Sequence, residues 1–393
     1  MAQKREFDII VFGATGYTGH YVVETLAKSE EAAKYRWAVA GRSILKLRKT
    51  LDDVGLLIGR NLRTMTAIKA DVEDEASLNA MAKRTRLVIN TVGPFIQYGE
   101  AVVRCCVENG TAHLDTSGEQ YYIERMQLKY HTRAGETGAF IVGGSSFASV
   151  PVDIGVDLMK SKFDGRLAQI ENILRIKPGS QGYRFNVGTF SSMIHMMANM
   201  LLYRKQRHAL MPDFDSLPAQ PFVSSRKLPL YKQKQLNCWC LLSNEGDKQV
   251  VDRTQYSEHR RNGDVPVLYE QSIGFKSLLV PLGLVFWAIG VFILSQVGVT
   301  RRFMETFPRL CSFGMFSASG PTRQQAAEAR FTHWFFGRGW GKADASNPTG
   351  PPNKKIIMRC DGPGTQPFMF FLPTSHLLFD TFKRDIDFLV ICF

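Results

Sequence analysis

The sequence predicts an α/β fold. A doubly wound parallel sheet at the N-terminus is expected, followed by a second, mixed α+β domain that carries an apolar, membrane-seeking insert. Three observations predict it. Strand-like and helix-like segments alternate through the first 150 residues. A glycine-rich turn, Gly13-Ala14-Thr15-Gly16-Tyr17-Thr18-Gly19, joins the first such pair. A run without charge, Ser277–Thr300, interrupts a second half of mixed character. Strands alternating with helices form a parallel sheet covered on both faces.

Taken in order, the strand candidates are Phe7–Phe12, Trp37–Ala40, Thr66–Ala70, Leu87–Thr91, Ala112–Asp115 and Ala139–Val142, runs rich in apolar and β-branched residues. Helical spacing separates most of them. Val22, Val23, Leu26 and Ala27 share one side of Tyr21–Lys28, and Ala101–Glu108 is similar. Six strands in this span fit a Rossmann-type dinucleotide fold. Gly143-Gly144-Ser145-Ser146 breaks the alternation, and Pro151 opens a new segment. Beyond it the sequence predicts strands near Asn172–Ile176, Asn237–Leu242 and Lys354–Arg359. It also predicts a methionine-rich core helix near Ser191–Leu202 and a loop over Arg253–Asp264. Pro367–Phe393 is aromatic-rich without a period. The expected division is a dinucleotide-binding domain at 1–147 and a second domain at 148–272 and 313–360. An apolar segment at 273–302 and an atypical tail at 361–393 complete it.

Ser277–Thr300 has Lys276 before it and Arg301-Arg302 after it. About 20 predominantly apolar residues suffice to span a bilayer. Pro281, Gly283 and Gly290 permit a bent shape, and Trp287 suits an interface. A monotopic insertion bent near Pro281–Gly283 is the expectation, because the flanking segments read as parts of one folded domain.

Composition narrows the class. The chain has 393 residues, 45% apolar and 22% charged, with 33 Gly and 17 Pro. Collagen-like, coiled-coil and wholly disordered chains are excluded. A mean hydropathy of -0.12 excludes a polytopic membrane protein. The net charge is +13, of which residues 1–150 carry only +2. A basic second half suits an acidic partner or anionic surface. None of the seven cysteines forms a C-x-x-C pair, so no metal site is expected. The N-terminus lacks the apolar core of a secretory signal.

The glycine turn carries the chemistry. It follows a strand and opens a helix, the context a pyrophosphate cradle requires. Gly13 allows the tight turn, Gly16 lets backbone approach the phosphates, and Gly19 allows close helix–strand packing. The phosphates are then held by free N–H groups, with Thr15, Tyr17 and Thr18 beside them. The second strand ends at Arg42-Ser43 rather than at an acid. An acid there would hold a ribose hydroxyl, whereas Arg42 and Ser43 suit a 2′-phosphate. The expected cofactor is therefore NADP(H), with NAD the alternative. Asp71, ending the third strand, is a candidate for the adenine amino group. Thr91, Gly93 and Pro94 end the fourth strand and should border the nicotinamide. Asp115 and Glu119 follow the fifth as the nearest candidate proton carriers, and Asp115 equally suits capping the next helix. No Tyr-x-x-x-Lys pair, G-x-S-x-G elbow, phosphoryl-transfer loop or nucleic-acid motif occurs.

These motifs in order, Gly13–Gly19, Ala40-Gly41-Arg42-Ser43, Asn90–Gly99 and Asp115–Glu119, resemble the saccharopine dehydrogenase-like oxidoreductases. The resemblance extends over about residues 5–360, including Pro178-Gly179-Ser180, Gly188–Ser191 and Phe331–Gly339. That family includes animal proteins of lipid droplets and membranes and bacterial trans-acting enoyl reductases of glycolipid synthesis. The run Ser277–Thr300 resembles the animal members' membrane-seeking insert. The resemblance implies an NAD(P)(H)-type cofactor and a second domain for substrate binding or dimerisation. It does not imply saccharopine as substrate. Two departures stand out: Ala148 replaces an acid of the family, and the sequence after Gly364 does not follow the family's tail.

Together these readings predict an NAD(P)(H)-dependent oxidoreductase at a lipid droplet or the cytoplasmic face of an intracellular membrane. Its expected substrate is lipid-linked or small, in lipid or glycolipid metabolism, and a homodimer is expected. No nucleic-acid partner is. The alternative is a non-catalytic lipid-droplet or membrane protein with a vestigial nucleotide-binding fold.

Overall fold

The computed structural model describes residues 5–146, 149–226, 228–243, 246–363 and the backbone of 387–392. The first unit runs β1 (Phe7–Phe12), α1 (Tyr17–Lys28), β2 (Trp37–Gly41), α2 (Ile44–Ile58), β3 (Ala67–Lys69), α3 (Glu75–Lys83), β4 (Thr85–Asn90), α4 (Phe95–Glu108), β5 (Ala112–Asp115), α5 (Gln120–Thr137) and β6 (Ile141–Val142). Its strands form one sheet in the order β3-β2-β1-β4-β5-β6. All pairings are parallel, for example Val11 beside Val39 on one side and Ile89 on the other.

The period-two rule explains why β1 is apolar beyond Asp8, which sits near its start and accepts from the Arg36 N–H at 3.0 Å. Ile9 and Val11 pack with Val22, Leu26, Leu47 and Leu51 of α1 and α2. Ile10 and Phe12 face the other way, onto Leu78, Met81, Val102 and Cys106 of α3 and α4. A strand buried on both faces has no polar side to show. Ser43 caps α2, and Gly59 ends it with a φ of 68°. This arrangement shows the predicted Rossmann-like parallel sheet.

The second unit runs α6 (Val150–Lys162), β7 (Gly165–Lys177), β8 (Phe185–Asn186), α7 (Val187–Ala198), α8 (Met200–Leu210), β9 (Leu230–Gln233), β10 (Cys238–Leu242), α9 (Asp247–Asn262), β11 (Leu268–Phe275), α10 (Leu279–Ser295), α11 (Gly298–Thr306), α12 (Pro308–Cys311), β12 (Phe316–Ser317), α13 (Arg323–Glu328), β13 (Arg330–Gly341), β14 (Lys354–Pro363) and β15 (Asp387–Cys392). Seven strands form a mixed sheet, β15-β14-β13-β7-β11-β10-β9. Its core sets Val152, Val156 and Met159 of α6 against Ile170, Phe331, Phe335 and Met358. A second sheet of mixed direction is thus shown.

Five expectations need correction. Arg253–Asp264 is not a loop: all but its last residues lie in α9. The segment reads as polar because α9 packs through ion pairs and hydrogen bonds, including Asp252 with Arg207, Glu258 with Lys160 and the Thr254 hydroxyl with Asp153. The methionine-rich segment is two helices meeting at Asn199. Phe190 and Ile194 are its buried residues, while Met196, Met197 and Met200 line a shallow groove. The apolar run does not break near Pro281–Gly283. Pro281 lies in the first turn of α10, where a missing N–H costs little, and the chain turns at Val297 before α11. Among the described residues no helix is long and apolar enough to cross a membrane. Trp287 is not an interfacial anchor, because it stacks near Phe190 and Phe316 and donates its ring N–H to the Cys311 carbonyl, 2.8 Å away. The expected tail begins inside β14, and β15 pairs antiparallel with β14. Ala148 and residues 364–386 lie outside the described residues.

Candidate functional site: a dinucleotide cradle at the sheet crossover

Strand order reverses between β1 and β4, and ligands of such sheets sit outside the carboxyl ends of the strands at that point. The turn after β1 holds Gly13 at a φ of 87°. A Cβ there would stand 2.7 Å from both Thr91 Oγ1 and Val92 Cγ2 of the turn after β4. Thr91 ties the turns together, since its N–H and hydroxyl both donate to the Phe12 carbonyl at 2.9 Å. A Cβ on Gly19 would fall 2.2 Å from the Gly13 carbonyl. Glycine at these positions lets α1 approach the strand end closely.

Thr15 and Gly16 are exposed, and Gly16 starts α1 with no side-chain cap. First-turn N–H groups left uncapped by a side chain, at the positive end of a helix, form an anion site. Thr18 is half-buried in that turn. Tyr17 reaches across the molecule: its hydroxyl donates to the Pro321 carbonyl at 3.1 Å, so it closes this end of the cleft against the second unit. Arg42 ends β2, is exposed, and forms no ion pair or hydrogen bond among the described residues. Ser43 accepts from the Lys46 N–H at 3.4 Å as the α2 cap. Asp71 follows β3 by two residues and is half-buried, with Oδ1 accepting from the Glu73 N–H. The Gly93-Pro94 peptide bond is cis. An open glycine cradle, an uncapped helix start and a free guanidinium at the β2 end fit an NADP-type group.

The two predicted proton carriers are committed elsewhere. Asp115 is sealed from solvent; Oδ1 accepts from the N–H groups of Gly144 and Ser117 at 2.9 and 3.0 Å, and Oδ2 from the Tyr122 hydroxyl at 3.1 Å. Burial pushes its pKa up to about 6 against these bonds. Burial also pulls neighbouring His113 down to about 3, so that ring is neutral near pH 7. Glu119 is equally buried and accepts from the N–H groups of Phe95 and Ile96 at 2.9 and 2.7 Å. A carboxylate at the N-terminus of α4 is favoured by the helix dipole. Its third bond, 2.6 Å from the Ser192 hydroxyl, comes from α7 of the second unit.

A cluster absent from the predicted set stands beside this clamp. His195 Nε2 lies 2.9 Å from Glu305 Oε1 and 2.7 Å from Gln97 Nε2, and the Ser191 hydroxyl donates to the same Glu305 oxygen at 2.7 Å. Gln97 sits in the first turn of α4, directly after Pro94. His195 Nδ1 has no hydrogen-bond partner among the described residues. The sequence offered one signal: Ser191, Ser192 and His195 share a helix face at i, i+1 and i+4. Glu305 arrives from a distant helix and gave none.

The comparisons agree with this geometry. Residues 9–142 match the saccharopine dehydrogenase NADP binding domain. A lipid droplet localized protein of Caenorhabditis elegans is 37% identical over 91% of this chain and 85% of that protein. A saccharopine dehydrogenase-like oxidoreductase of Rattus norvegicus is 35% identical over 92% and 85%. The chain belongs to the saccharopine dehydrogenase-like oxidoreductase family. Its architecture also resembles apo saccharopine dehydrogenase (L-Glu forming) of Saccharomyces cerevisiae, with a TM-score of 0.52 over 98% of this chain and all of that one. At 11% identity that likeness concerns the fold alone. Within the family frame, the matched domain supports NADP(H) binding on the β1–β4 edge.

Proposed function

We propose that this protein is an NADP(H)-dependent oxidoreductase that works at a lipid surface on a lipid-linked or small substrate. The observation that carries the reading is the glycine cradle facing the β4 turn, with an unpaired Arg42 at the end of β2. The Gly13–Gly19 turn holds the pyrophosphate, Arg42 takes the 2′-phosphate, and Thr91–Pro94 border the nicotinamide. When bound, NADPH supplies hydride to a polarised C=N, C=O or C=C bond.

The balancing proton comes from His195. Its side chain is 20% exposed, whereas Asp115 is sealed and Glu119 is held by two N–H groups. Glu305 orients the ring through Nε2 and leaves Nδ1 to act. The ring then regains its proton from solvent.

The lipid surface is met by α10–α12. Phe286, Val299, Leu310 and Phe313 are 73%, 78%, 69% and 85% exposed, with Lys276, Arg301, Arg302 and Arg309 nearby in sequence. Contiguous exposed apolar residues rimmed by cations suit an anionic monolayer without a span. The droplet-localized worm relative supports the same placement.

The test is NADPH consumption with a long-chain 2-enal, a ketone and a cyclic imine, each on phospholipid-coated triacylglycerol droplets. We expect turnover with at least one. His195→Gln should lose about a hundredfold in kcat, as general acid–base groups do, with NADPH affinity unchanged. No NADPH oxidation with any acceptor would overturn the enzymatic reading.

A further inference from the structure

A cleft of about 980 Å³ separates α5 from α9, outside the glycine cradle. One wall is apolar: Ile123 and Met126 of α5, with Phe140 and Val142 along the edge of the first sheet. Phe140, just before β6, is 77% exposed, and Val142, within it, 44%. The facing wall, from α9, carries Arg253 and Arg261. The inner end reaches Asp115 and Gly143, at the carboxyl ends of β5 and β6.

Arg253 is the unusual group. Its Nη2 donates to Gln127 Oε1, and its Nε is shut off from solvent without a partner. It forms no ion pair among the described residues, although carboxylates surround it. Arg207 holds Glu124 and Asp252, and Asp153 accepts from the Thr254 hydroxyl. Glu258, also on the cleft, is paired with Lys160. Burial lowers the pKa of Arg253 from the ordinary arginine value. A half-buried guanidinium with its Nε–H shut off and no direct ion pair is under-satisfied, and a bound anion reduces that cost. Arg261 adds a second charge and, among the described residues, is engaged only by the Ser257 hydroxyl.

We infer that this cleft is a binding site for a long-chain carboxylate, with its acyl chain on the apolar wall and its head group on Arg253. The volume suits such a ligand: pockets for small molecules run to roughly 300–1,000 Å³, mostly apolar with a few placed polar groups. The inner end opens on the strand edge that the proposed function assigns to reaction. Only the ligand's standing as a substrate rests on that reading; its binding does not.

The structure supplies a blocking variant. Gly135 lies in α5 on the cleft, and a Cβ there meets nothing within 4 Å. Gly135→Leu therefore adds a side chain at the cleft wall, where nothing clashes with it, narrows the space for an acyl chain and favours the helix. The experiment titrates the full-length protein with cis-parinarate, following its fluorescence, and repeats the titration with the methyl ester. NADPH affinity is measured separately on every variant. Expected are saturable parinarate binding, at least tenfold weaker binding of the ester, a tenfold loss in Arg253→Gln with recovery in Arg253→Lys, and loss of the signal in Gly135→Leu. NADPH affinity should stay constant throughout. Equal binding of acid and ester, or binding indifferent to Gly135→Leu, would overturn the site. So would sedimentation of the wild type as a dimer that Gly135→Leu dissociates and that takes no parinarate, because a second copy would then fill the cleft. Loss of NADPH binding in the wild type, with parinarate binding intact, would defeat the cofactor reading and leave the site standing.

Discussion

The β1–α1 turn and the β5–α5 turn lie on one edge of the same sheet, yet their polar groups are disposed in opposite ways. The first leaves Thr15 and Gly16 exposed, starts α1 without a side-chain cap, and lies near an unpaired Arg42 at the next strand end. The second buries Asp115 and Glu119, and each carboxylate accepts three hydrogen bonds. Residue type alone ranks them the other way, since carboxylates look chemical and glycines look inert. What separates ligand-binding from architecture is whether the polar groups are already satisfied. Open N–H groups await an anion, whereas satisfied carboxylates hold loops.

The largest expected effect comes from filling the open turn. Gly19→Val sets a side chain against the Gly13 carbonyl, and NADPH affinity by fluorescence titration should fall at least a hundredfold. Gly16→Ala is milder, because its Cβ meets only the Gly13 carbonyl at 3.3 Å. It should keep the fold and still lose about tenfold, roughly 1.4 kcal/mol. Wild-type affinity in both would place the phosphates elsewhere and dissolve the comparison.

Asp115 sharpens the other side. Its folded pKa of about 6 lies above the ordinary aspartate value of 3.8. A raised acid pKa means that the folded state binds the proton more tightly. Its contribution to stability is therefore full below about pH 4 and is lost as pH rises through 6. Asp115→Asn removes that loss. From pH 4 to pH 7 the variant should gain on wild type by an amount on the order of 2 kcal/mol in urea unfolding. A constant difference would mean that Asp115 is not held in a proton-retaining pocket. The smallest effect belongs to the clamp between the units. Ser192→Ala removes one hydrogen bond to a carboxylate and should cost about 1–2 kcal/mol of stability, leaving NADPH affinity unchanged. A drop in affinity would join Glu119 to the cofactor site.

How much of this was legible depends on range in the chain. The first sheet was readable because its information is local. Each strand is a short apolar run, each turn follows at once, and the glycine spacing lies within seven residues. The second sheet was readable only in parts, near Asn172–Ile176 in β7, Asn237–Leu242 in β10 and Lys354–Arg359 in β14; the rest hid because β7 and β13 pair across a long stretch of chain, with Glu171, Asn172, Thr332 and His333 among their residues. Helix α9 hid because ion pairs bury its face, so hydropathy gave no stripe; Asp247 at its start and Gly263 beyond its end were the usable signals. The glycine and arginine positions of the site were legible from type and spacing. His195 with Glu305 was not, because the two residues meet only when α7 and α11 pack. Nor did the sequence show that Asp115 and Glu119 are engaged, since most of their donors are backbone N–H groups and the Ser192 hydroxyl arrives from a distant helix.

The central claim is that Arg42 beside the glycine cradle selects a phosphorylated dinucleotide. It is tested most directly by titrating wild type and Arg42→Ala with NADPH and NADH, following nicotinamide fluorescence. Wild type should bind NADPH at least tenfold more tightly than NADH, and the variant should lose that preference while its NADH affinity stays constant. Equal affinities in the wild type, or a preference for NADPH that survives without Arg42, would contradict the account.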